Sequence, residues 1–151
     1  MAQYLQQHST LTLFQGMEEL RRIEGNNDND FAEKSTTDFL ALIEEHDLIH
    51  VLFGCSTDVA GEIKAHIWTA FGTTTKLKVM RDAVGNQNHK DAIREIGQGN
   101  LIRAWTTIIP IAIRIIGCAV RMKKKFPVEQ ASNYLHIELD KIRHEFGIQV
   151  V

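Results

Sequence analysis

The sequence predicts a mainly α fold, a single-domain bundle of five to six helices over 1–151 with a metal site on a helix hairpin. Three observations carry that expectation. Apolar residues recur three and four positions apart through much of the chain, the spacing that lines one face of a helix. Gly, Pro, Asn, Asp, Ser and Thr fall between those segments, where caps and turns need them. The one stretch with β character, TTTKLKV at 73–79, alternates only in part and has no evident strand to pair with. It reads as an irregular connector.

With 151 residues, of which 44% are hydrophobic and 24% charged, the chain can bury one core and is too apolar to be disordered throughout. A net charge of −2 exerts no overall pull on nucleic acid or anionic membrane, and no nucleic-acid partner is expected. Cys55 and Cys118 lie far apart and outside any CxxC pattern, which fits free thiols in a reducing cytoplasm. The opening MAQYLQQHST shows neither a secretory signal nor an Arg-rich transit pattern, so a cytoplasmic protein is expected.

The first helix is expected over about Thr10–Glu24, with Leu13, Met17, Leu20 and Ile23 at helical spacing and Leu11 and Phe14 beside them. Gly25 and the run NNDND stop it; without a twelve-residue loop closed by Glu, the run is turn chemistry rather than a calcium loop. Thr36, Thr37 or Asp38 can cap the second helix, which carries Phe39, Leu40 and Ile43 and continues through Val51, Leu52 and Phe53. The third starts near Asp58 and presents Val59, Ile63, Ile67, Trp68 and Phe71.

A short helix at Asp91–Gln98, broken by GQG, leads into LIRAWTTIIPIAIRIIGCAV at 101–120, the most apolar stretch. Arg103, Arg114 and Pro110 argue against a membrane span, since a mid-bilayer arginine costs roughly 2.5–3.5 kcal/mol. A central helix buried on most faces is expected, kinked at Pro110, with Arg114 paired or snorkelling. The basic cluster at Arg121, Lys123, Lys124 and Lys125 could sit on anionic headgroups; taken alone it reads as a solvated helix end. After Pro127 a last helix is expected over Val128–Phe146, with Ala131, Leu135, Leu139 and Ile142 inward and Gly147 ending it.

The chemistry concentrates in HDLIHVLFGCSTDVAGE, residues 46–62. His46 and His50, four apart, share a helix face, and Asp47 lies one residue round, within reach of His50. The small polar break at 54–58 ends one helix and caps the next. In a hairpin, His50 and Glu62 each stand about 6 Å from the turn, at 1.5 Å per residue, which brings them level. Two imidazoles and two carboxylates then converge: His46, Asp47, His50 and Glu62 are the candidate metal ligands and catalytic residues. His66, four residues beyond Glu62, could join them, but a His merely near the site or facing solvent is the favoured reading. A plain polar network between the helices is the competing reading of the whole group. The motif is not HExxH, since Asp follows the first His, and the His-Asp metal phosphohydrolases need further ligands that nothing here marks.

HDLIHVLFGCSTDVAGE resembles the signature of the fourth ubiquinone (coenzyme Q) biosynthesis protein family, HDxxH followed by eleven residues and Glu. His46, Asp47, His50 and Glu62 match without a gap, Gly54 and Gly61 fall where that family often has glycine, and LDKIRHEFGI at 139–148 is similar to its closing helix. The resemblance covers about 36–72 and, more loosely, the end. The chain is shorter than mitochondrial members and lacks their targeting segment, so a bacterial relative is expected.

The resemblance implies a helical protein holding a divalent metal (zinc first, iron or manganese as alternatives) and a polyprenyl lipid or prenylated quinone precursor in an apolar groove lined by 101–120. It implies other quinone-pathway enzymes as partners and peripheral contact with the inner membrane surface. The implied activity is oxidative decarboxylation of a prenylated hydroxybenzoate, with a non-catalytic lipid-binding scaffold carrying a structural metal as the alternative. A homodimer is expected from exposed apolar surface.

Overall fold

In the computed structural model, residues 2–25, 45–75 and 97–151 are described, with 97–107 described in backbone only. The chain is mainly α: helices α1 (Leu13–Glu24), α2 (Glu45–Phe53), α3 (Val59–Gly72), α4 (Gly97–Arg121) and α5 (Leu139–Phe146), with 3-10 turns at Gln3–Leu5 and Val128–Tyr134. No strand occurs among the described residues; Thr12–Glu138 and Thr73–Phe126 form isolated bridges. Thr73 to Thr75 therefore belong to a connector, as expected, and the rest of TTTKLKV lies outside the described residues.

Helix α1 begins with a capping box. Thr12 Oγ1 accepts from the Gln15 amide at 3.2 Å, and the Gln15 side chain accepts from the Thr12 amide at 3.0 Å. The next two free amides, Leu13 and Phe14, donate to the Ile137 and Leu135 carbonyls at 3.0 and 2.9 Å. This docking explains a departure from the sequence reading. The expected helix Val128–Phe146 is two pieces, because Leu135 to Glu138 run non-helically to close the start of α1 before α5 begins. Leu13, Met17 and Leu20 are buried as expected, whereas Ile23 is exposed.

Leu48, Ile49, Val51, Leu52 and Phe53 bury α2 in the core between α1 and α3. The expected cap of that helix at Thr36, Thr37 or Asp38 and its apolar positions Phe39, Leu40 and Ile43 lie outside the described residues. Helix α3 starts where expected, with the Asp58 carboxylate accepting from the Gly61 amide at 2.7 Å. Its buried face differs in part from the expected one. Trp68 faces inward as expected, beside Gly61, Ala65 and Gly72, while Val59 and Phe71 are exposed. Small residues win this face because neighbours come close: a Cβ at Gly72 would meet the Phe53 and Trp68 rings, which stack at 4.4 Å.

Helix α4 packs along α3. Its described part runs from Gly97, so GQG is helical rather than a break, while 91–96 lie outside the described residues. The expected burial on most faces does not hold. Over 108–121 only Ile115 and Cys118 are buried, and Arg114 is exposed. No helix among the described residues is long and apolar enough to cross a membrane.

Arg143 of α5 is wholly buried, and among the described residues no carboxylate pairs with it. Its guanidinium donates to the Leu52, Val51, Tyr4, Gln6 and Gln7 carbonyls, using the full fork of donors that only arginine has. Val51 and Leu52 end α2, where free carbonyls and the dipole favour a cation. One side chain thus ties the N-terminal segment, α5 and the helix carrying the histidines together.

Candidate metal centre

The hairpin α2–turn–α3 builds the site. Gly54, at φ +64°, turns the chain out of α2, and the Cys55 amide donates to the His50 carbonyl at 2.8 Å. That turn brings the Cys55 carbonyl back to the imidazole of His50, whose Nδ1–H donates to it at 3.2 Å. A carbonyl only accepts, so Nδ1 carries the proton and Nε2 of a neutral His50 presents a lone pair. Burial of Cys55 pushes its thiol up to about 12, so its sulfur stays protonated and inert.

His50 Nε2, 1% exposed as a side chain, looks toward two partners. It lies 3.2 Å from His46 Nε2 and 3.3 Å from Glu62 Oε1, while His46 Nε2 lies 3.0 Å from Glu62 Oε2. His46 is half exposed and Glu62 partly so, which leaves one side of the group open to solvent. Asp47, with Nδ1 of His46 3.9 Å away, and Glu62 on its other nitrogen raise the His46 imidazole to about 9; partial burial opposes them. The Glu62 contact is the shorter. At neutral pH a proton on His46 Nε2 therefore serves both Glu62 and His50.

Three of the four expected residues meet here. His46, His50 and Glu62 each offer an atom within 4.8 Å of the others, a set able to hold a metal ion. Asp47 stands beside them: its Oδ2 takes the Arg21 Nε–H of α1 at 3.3 Å, and no contact joins it to His50. His46 and Arg21 hold its carboxyl below the ordinary range. His66 points back along its own helix, Nδ1 donating to the Glu62 carbonyl at 2.7 Å, with its ring 6.3 Å from that of His46. It borders the group without entering it.

Sequence reasoning missed Arg21 and the Cys55 carbonyl. Only the carbonyl had a local signal, since Gly54 after His50 implies a chain reversal at that point. Compared with protein-family models, curated proteins and solved structures, the chain matches none.

Proposed function

We propose that this protein holds a divalent metal on His46, His50 and Glu62 and acts in ubiquinone biosynthesis on a prenylated aromatic acid. The observation that carries the metal is the convergence of two imidazole nitrogens 3.2 Å apart on one carboxylate, with Glu62 Oε2 3.0 Å from His46 Nε2 and Glu62 Oε1 3.3 Å from His50 Nε2. Ligands about 2.0–2.1 Å from a tetrahedral metal stand roughly 3.3 Å apart, and the 3.2 Å between the two imidazole nitrogens fits that spacing. His50 adds a second support. A ligating histidine usually gives its other N–H to a carbonyl or carboxylate, as His50 does to Cys55.

Two histidines and one carboxylate leave further coordination positions for a substrate, on the side where His46 and Glu62 reach solvent. A metal there would supply Lewis-acid polarisation of a ring carboxylate or, as iron or manganese, redox capacity for oxidative decarboxylation, in which the carboxylate leaves as CO2, a hydroxyl takes its place and dioxygen from solution is the two-electron oxidant. Asp47, braced by Arg21, orients the His46 ring and supports its basicity. The prenylated substrate rests on the HDxxH–Glu resemblance at 46–62 and on LDKIRHEFGI at 139–148.

The first experiment measures metal in the purified protein and in His50→Ala, then turnover of a prenylated hydroxybenzoate by wild type and Glu62→Ala. Near-stoichiometric metal in wild type, lost in His50→Ala, with turnover lost in Glu62→Ala, is the expected result. Absence of metal even after reconstitution returns the group to a polar helix-packing network. Metal without turnover, together with co-purified isoprenoid lipid, assigns a lipid-binding scaffold instead.

A further inference from the structure

Residues 148–151 follow α5 without regular secondary structure, yet each is tied to another part of the chain. Ile148 is buried and donates its amide to the Arg143 carbonyl at 2.8 Å. The Gln149 side chain accepts from Cys118 Sγ of α4 at 3.7 Å. Val150 lies so close over the hairpin turn that a Cβ on Gly54 would stand 2.6 Å from one of its methyl carbons. The Val151 carbonyl accepts from Lys64 Nζ of α3 at 2.6 Å. Gln7, in the N-terminal segment, grips the same residues twice. Its Nε2 donates to the Ile148 carbonyl at 3.1 Å and its Oε1 accepts from the Val150 amide at 2.7 Å. A primary amide carries a donor and an acceptor side by side, so one side chain satisfies two backbone groups of an irregular segment.

This strap crosses both arms of the hairpin. Gly54, under Val150, precedes Cys55, whose carbonyl holds His50 Nδ1. Lys64, bonded to Val151, stands two residues beyond Glu62 on α3. The strap thus runs from the turn that orients one candidate ligand to the helix that carries another. A metal needs His50 and Glu62 at one separation, and a segment fixed on both sides of the turn holds that separation. Gln149 is exposed and Val150 and Val151 are only half-buried, so the strap can open while the core stays folded.

We propose that docking of residues 148–151 and metal binding at His46, His50 and Glu62 are linked, with Gln7 the positioning residue that couples them. The linkage rests on the metal centre proposed above and adds to it a determinant of affinity far from the ligands in sequence. Gln7 acts through Val150, Gly54 and the Cys55 carbonyl, which fix the imidazole of His50. Linkage is reciprocal: whatever the docked strap adds to metal affinity, bound metal adds to the docking of the strap.

Zinc titration and amide hydrogen exchange on the full chain test it, with wild type, Gln7→Leu and Gln15→Ala. In wild type, zinc is expected to slow exchange of the Val150 and Cys55 amides about tenfold, a comparison that needs no variant to fold. Gln7→Leu removes both bonds to the strap at similar size and should weaken zinc binding about tenfold. Gln15→Ala removes the capping box of α1, away from the hairpin; it should lower the melting temperature and leave zinc affinity unchanged. Val150 exchange indifferent to zinc, or equal zinc affinity in wild type and Gln7→Leu, overturns the linkage and leaves the metal centre standing. An equal loss of affinity in Gln15→Ala overturns it too, because lowered stability alone would then account for Gln7→Leu. Failure of wild type to take up zinc removes the metal centre, and the linkage with it, and is read from wild type before any variant is made.

Discussion

His50 offers Nε2 to the site because a turn four residues later returns a carbonyl to its Nδ1. His46 has no such constraint and is governed by charge. Its imidazole, ordinarily near 6.5, stands at about 9 beside Asp47 and Glu62. Protonated His46 is thus favoured by the folded, metal-free protein. That stabilisation is fully present below about pH 6.5 and is lost as pH rises through about 9. In chelator, the melting temperature of wild type should fall across that window relative to His46→Gln; parallel pH profiles would remove the argument. The proton must leave before a metal binds, so metal uptake near neutral pH should release it. Arg21→Gln leaves Asp47 without its brace and should weaken metal affinity roughly 10-fold with little change in the metal-free melting temperature. Competitive titration with a chromophoric chelator reads that change, and an unaltered affinity would count against an orienting role for Asp47.

At the level of elements, the hairpin works because its turn is built to one shape. Asp58 caps α3 through the Gly61 amide and also accepts from Ser56 Oγ at 2.9 Å. A Cβ at Gly61 would overlap the Ser56 carbonyl oxygen, backbone that cannot swing aside. Gly61→Ala should therefore destabilise the fold by about 1–3 kcal/mol, read by urea unfolding, and displace Glu62 enough to weaken metal binding as well. An alanine variant as stable as wild type would mean that the turn relaxes freely. The same close approach explains why the apolar stripe of α3 misled the sequence reading. Helical periodicity made Val59, Ile63, Ile67, Trp68 and Phe71 look like the core side; Trp68 is buried as expected, but the rest of the buried face is Gly61, Ala65 and Gly72, with Val59 and Phe71 exposed. Apolar spacing reports a face with hydrophobic character, while the distance to the neighbouring helix decides whether large or small residues fit there.

Across the whole molecule, Arg143 is the joint on which the site's backbone rests. It serves five carbonyls from two distant parts of the chain, and burial lowers it only to about 10, so it stays charged under ordinary conditions. Arg143→Met keeps much of the volume and leaves those carbonyls without donors. Unsatisfied buried groups cost about 1–3 kcal/mol each, so a total loss of on the order of 3 kcal/mol or more is expected. Denaturant unfolding measures it, and a loss near zero would show that water replaces the guanidinium. Val150 packs over Gly54, and Lys64 donates to the Val151 carbonyl at 2.6 Å, so the last residues also brace the hairpin turn.

Much of this protein follows from local rules that a sequence displays directly. The helical class, the caps at Thr12 and Asp58 and the stop at Gly147 depend on residues within one or two turns of each other, and the level placement of His46, His50 and Glu62 follows from the short turn at 54–58 that joins their two helices. Tertiary structure decided what lies opposite. It gave Asp47 to Arg21, 26 positions away, set the carbonyls of Val51 and Leu52 around Arg143, and broke the last helix at Leu135–Glu138 to close α1. It also turned the most apolar helix into one with an exposed ridge. The physical reason is common to all four: a hydrogen bond or a packed face is settled by the partner that competes best for it, and periodicity along one segment carries no information about that partner.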